Sequence, residues 1–140
     1  MGLLAFAVAL TVGSNVLYHV SQKSIPGGAH PLMSLTVTYV VALALTLVLW
    51  PFYPGGAPSW RSLRGLNWSS VAVGVAIVGV EMGVLLAYRA GWRVSVGSTM
   101  VNAALAVLLI PIGLLFFGER LTAANVTGLL LCIGGLFLLL

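Results

Sequence analysis

Apolar residues run along this chain in five stretches long enough to cross a bilayer, separated by short polar or glycine- and proline-rich connections. A spanning helix needs about 20 predominantly apolar residues. The pattern predicts spans over Leu3–Gln22, Pro31–Trp50, Ser69–Tyr88, Val96–Phe117 and Ala123–Leu140. The first ends before the breaker Ile25-Pro26-Gly27-Gly28, and the second stops at Pro51, with Pro54-Gly55-Gly56 beyond. Arg89-Ala90-Gly91-Trp92-Arg93 closes the third, and Gly118-Glu119-Arg120 closes the fourth. The expected architecture is an all-α membrane protein, a five-helix transmembrane bundle forming a single domain over residues 1–140. Connections this tight leave no room for a soluble domain. The first stretch reads as a span and not as a cleaved signal peptide, because no Lys or Arg precedes it and no small-residue cleavage pattern follows.

Composition narrows the function classes. Of 140 residues, 6% are charged and 61% apolar, whereas a soluble domain carries roughly 25% charged residues. So few charges cannot cover a water-facing surface. The net charge of +4 comes from cations scattered singly or in pairs, which make no basic patch for nucleic acid. One cysteine, Cys132, and two histidines exclude a disulfide framework and argue against a metal cage. No nucleophile–base pair or phosphate-binding loop stands out, so neither an enzyme nor a cofactor is expected. An integral protein of the cell membrane, with the lipid bilayer as its surroundings, is expected instead.

Charge also bears on orientation. Arg61, Arg64 and Arg120 fall in the even-numbered connections, and Lys23, Arg89 and Arg93 in the odd-numbered ones. This balance gives the positive-inside rule no preference. Such a chain is suited to insert in both senses and to pair head-to-tail with its own copies. The alternative is that a free N-terminal amine or another chain tips the balance.

Polar residues inside spans are costly and tend to face a bundle interior or a wet path. In the first span Thr11, Ser14, Asn15, Tyr18, His19 and Gln22 follow helical spacing along one face, opposite Leu10, Val12, Val16, Leu17 and Val20. The stripe suits either a cavity wall or hydrogen-bonded helix packing. Glu81 is the one acidic residue expected inside any span. Low dielectric penalises a charged carboxylate, so a carboxyl at that depth is suited to exchange a proton for a cationic substrate. Pairing with His19 or Arg89, or a protonated carboxyl bonded to a carbonyl, is the structural alternative. Tyr88, seven residues on, shares roughly its face. Asn102, with Ser98 one turn before it, and Tyr39, with Thr36, add polar groups in the fourth and second spans. The expected substrate or proton site therefore comprises Ser14, Asn15, Tyr18, His19, Tyr39, Glu81, Tyr88 and Asn102. His19 lies near a span end and equally suits an interfacial hydrogen bond. Pro111 is expected to kink the fourth span, and Trp60, Trp68 and Trp92 suit interfacial belts. Gly79, Gly83 and Ala87 form a small-residue seam for close helix contact.

Three segments resemble a known family. Gly13-Ser14-Asn15, the stretch from Ser95 to Thr122 with its Gly118-Glu119-Arg120-Leu121-Thr122 exit, and the glycine-bearing Asn125 to Leu140 are similar to EamA-type members of the drug/metabolite transporter superfamily. Members usually carry two such five-span repeats in inverted orientation, and this chain looks like one. The resemblance implies an antiparallel homodimer and alternating-access transport of small organic metabolites or drug-like compounds, expected here to be proton-coupled export. Uncoupled facilitation, or a non-transporting half of a heteromer, are the alternatives. The small multidrug resistance branch carries its essential glutamate in the first span, whereas here the glutamate is in the third. Glu119-Arg120 reads as a local charge pair and interfacial anchor.

Overall fold

The computed structural model describes residues 2–53 and 60–139, in which every regular element is helical. Five α-helices follow one another: α1 Gly2–Ser24, α2 Pro31–Leu49, α3 Trp68–Arg89, α4 Val94–Phe116 and α5 Ala123–Leu139. Two short 3₁₀ turns, Trp50–Phe52 and Trp60–Gly65, lie between α2 and α3. Helix ends fall within about two residues of the expected spans, the ordinary scatter of helix boundaries. Pro54-Gly55-Gly56 and Leu140 lie outside the described residues, as does the side chain of Trp60.

Local chemistry explains the ends. Pro31 opens α2 at the position where a missing N–H costs nothing. The Asn67 side chain caps α3 by accepting from the Ser69 N–H at 2.9 Å, and Thr122 caps α5 by accepting from the Asn125 N–H at 3.2 Å. Gly91 (φ 97°) and Gly118 (φ 62°) turn the chain after α3 and after α4 in the left-handed region that favours glycine. α4 continues through Pro111.

Among the described residues, α1 to α4 are long and apolar enough to cross a bilayer. The expected fifth span is the short one: 17 residues rise about 25 Å, somewhat less than the roughly 30 Å hydrocarbon core. Seven serine and threonine hydroxyls inside the helices are satisfied locally. Thr11, Thr36, Thr38, Thr46, Ser98, Thr99 and Thr127 each donate to the carbonyl four residues earlier, which removes their donors from the apolar surroundings.

The chain divides into two compact units, Ser21–Ala90 and Met1–Val20 with Gly91–Leu140. In the first, α2 packs on α3, and Leu35, Leu85 and Tyr88 are its buried apolar residues. In the second, α4 packs on α5. There the Trp92 ring lies over Gly97, where a Cβ would come within 2.7 Å of it. The Glu119 carboxylate folds back over Gly113 in the same way, while the Gly113 carbonyl accepts from the N–H groups of Phe117 and Glu119. Glu119 thus closes the end of α4, a role that its reading as a charge pair with Arg120 does not contain.

Candidate functional site

Two polar constellations stand at membrane depth, one in each unit. The first is built on α3. Counting eight residues back from Arg89, Glu81 lies about 12 Å inside that helix. Its Oε2 accepts a hydrogen bond from Gln22 Nε2, in the last turn of α1, at 3.2 Å. Gln22 is 5% exposed, and its Oε1 is buried without a hydrogen-bond partner. Tyr39 on α2 lies within electrostatic range of Glu81, with its hydroxyl likewise buried and unbonded. Glu81 therefore pairs with an amide. Arg89 instead donates to the Ala29 carbonyl, in the turn between α1 and α2.

Tyr88 is buried one turn beyond Leu85. Lys23 sits over its ring, 5.6 Å from the centroid, and donates to the Tyr88 carbonyl at 3.3 Å. A cation there complements the negative end of the α3 dipole. Lys23 and Arg89 thus tie the end of α1 and the following turn to the end of α3 and hold Gln22 beside Glu81.

The Gln22 amide has a property that an ionic partner would lack. It carries both a donor and an acceptor. An ionised Glu81 accepts from Nε2, as observed; a protonated Glu81 would donate to Oε1, once the amide has turned. Both states of the carboxyl thus find a hydrogen bond with the same amide.

The second constellation is a cleft of about 400 Å³ between α1 and α4. Three ladders with four-residue spacing line it. Thr11, Asn15 and His19 form the first, Val12, Val16 and Val20 the second, and Val94, Ser98 and Asn102 the third. One N–H of Asn15 Nδ2 donates to the Thr11 carbonyl at 3.0 Å. Tyr18 stands beside the cleft, its ring edge-on to His19 with centroids 5.1 Å apart.

Of the expected site residues, Asn15, His19 and Asn102 come together in the cleft, whereas Tyr39, Glu81 and Tyr88 belong to the other unit. Ser14 is exposed and lines neither. The polar stripe of α1 is divided: Thr11, Asn15 and His19 line the cleft, and Gln22 serves Glu81. Val12, Val16 and Val20 join the cleft wall although they sit opposite the stripe on a helical wheel, because each lies only about 100° round from a polar rung. Gln22 and Lys23 belong to the Glu81 site although the sequence places neither there. Their only sequence signal is that Gln22 continues the spacing of the stripe.

Comparison with family models, with curated proteins and with solved structures gives no match for this chain.

Proposed function

We propose that this chain is a secondary transporter of small organic metabolites or drug-like compounds, in which Glu81 takes up and releases a proton as solute moves. The observation that carries the reading is Glu81 inside α3, bonded to a buried amide able to serve either protonation state. A permanently charged residue at that depth would be paired with an opposite charge, and an ionisable group in a span is by default a functional one. The resemblance of the α4 exit and of α5 to EamA-type transporters supports the same reading.

The working unit we propose is an antiparallel homodimer in the cell membrane, with alternating access between two inverted copies. Its support is the even division of basic residues between the two sides. In addition, a Cβ at Gly79 or Gly83 would meet nothing beyond its own helix within 4 Å, which leaves that face of α3 for lipid or for a second copy.

Proteoliposomes loaded with a pH-sensitive dye test the transport reading. Adding one member of a panel of small polar solutes is expected to start proton movement that a protonophore abolishes. Solute flux without proton movement would favour an uncoupled facilitator, and a panel that moves nothing would remove the reading. The dimer has its own test, with Cys132 replaced by Ser and single cysteines placed at Gly28, in the turn before α2, and at Leu66, in the connection before α3. An impermeant thiol reagent applied from one side is expected to label about half the population at both positions, as equal insertion in both senses requires. Full labelling at one position and none at the other would rule out the homodimer.

A further inference from the structure

We propose that the cleft between α1 and α4 binds an uncharged polyhydroxylated solute, and that its hydrogen-bond inventory selects against organic cations and anions. The inventory follows from bonds already made. The Thr11 hydroxyl donates to the Ala7 carbonyl at 2.9 Å, the Ser98 hydroxyl to the Val94 carbonyl at 2.7 Å, and the Asn15 amide to the Thr11 carbonyl at 3.0 Å. Each group has committed a donor within its own helix. What Thr11 and Ser98 present to the cleft is therefore acceptor lone pairs, while Asn15 keeps its amide oxygen and a second N–H. Asn102 adds an amide on the opposite wall, with both donor and acceptor capacity. A matching ligand brings several hydrogen-bond donors, spaced to meet rungs that repeat every four residues, about 6 Å along a helix.

Charge and shape complete the match. No carboxylate, lysine or arginine lines the cleft among the described residues. A formally charged ligand finds no carboxylate, lysine or arginine there to act as its counter-ion, so it gains nothing against the cost of any hydration it gives up. Hydroxyl groups donate without carrying charge. The valine ladder and Val94 form an apolar wall on which the C–H face of a polyol can lie while its hydroxyls meet the polar rungs. About 400 Å³ is within the range of small-molecule sites.

This inference deepens the transport reading by naming a substrate class. It is measured at equilibrium without any gradient, so its failure would leave the coupling role of Glu81 to be judged separately. The full chain in lipid nanodiscs is titrated with radiolabelled mannitol, with tetraphenylphosphonium and succinate as charged comparisons. Saturable mannitol binding is expected, displaced by excess sorbitol and by neither charged compound. Asn15→Leu and Asn102→Leu should each weaken it by about tenfold, the worth of one lost hydrogen bond. Ser98→Ala, a minimal change that removes one acceptor and keeps the helix intact, guards against misfolding and should weaken binding several-fold. Absence of saturable mannitol binding, displacement by tetraphenylphosphonium or succinate, or unchanged affinity in folded Ser98→Ala and Asn102→Leu would overturn the proposal.

Discussion

Glu81→Gln is expected to reduce solute-driven proton movement in proteoliposomes to the level of protein-free vesicles, while leaving the amount of folded chain in the membrane unchanged. The substitution is close to isosteric. Gln22 Nε2 now donates to Glu81 Oε2, and in the variant the same donor would meet an amide oxygen of similar shape. The second amide can donate in return to Gln22 Oε1, which is buried without a hydrogen-bond partner in the parent. The fold therefore loses no polar satisfaction, and only the titratable proton disappears. A purely structural Glu81 predicts the opposite pattern, with transport retained at the parental rate in Glu81→Gln. Gln22→Leu separates the roles further. It keeps the carboxyl but strips its partner, leaving Glu81 without its amide, which costs about 1–3 kcal/mol. Reduced thermal stability is expected there, with coupling retained in the folded fraction.

How far the sequence alone leads to this site depends on the range of the interactions concerned. Long apolar stretches report spans directly, because bilayer thickness sets a length that single-sequence patterns resolve. Breakers such as Pro26-Gly27-Gly28 and Gly118 therefore place α1 to α4 within two residues. Helical spacing also places Thr11, Asn15 and His19 on one ladder, since periodicity is a local property. Contacts between helices are not local. Gln22 and Glu81 are 59 residues apart, and nothing in either neighbourhood marks the other as its partner. From the sequence, His19 and Arg89 look equally able to pair with Glu81, because charge and proximity to a span end do not fix which helices touch. The folding of Glu119 over Gly113 is hidden for a related reason. It depends on the left-handed turn at Gly118, which sends the chain back over α4.

The same geometry makes Leu85 the residue whose truncation should most disturb the unit that holds Glu81. Leu85 is 1% exposed, the least exposed side chain of its unit, and it lies one turn beyond Glu81 and one turn before Tyr88 on α3. With Leu35 of α2 it forms the small apolar core of that unit. In lipid, apolar burial alone gives helices little reason to associate, so close packing carries more of the weight. Leu85→Ala leaves a cavity where packing is densest, and a loss of about 2–4 kcal/mol is expected. Leu86→Ala is the control, since Leu86 is half exposed and its truncation opens no enclosed cavity. Thermal unfolding of the detergent-solubilised chain should show a clear drop in midpoint for Leu85→Ala and almost none for Leu86→Ala. The loss should reach function too. Loosening α2 from α3 relaxes the seam that sets Tyr39 and Glu81, so solute-driven proton movement should fall in Leu85→Ala even below its unfolding temperature. Equal midpoints for the two variants would mean that the α2–α3 seam does not hold the Glu81 site in place.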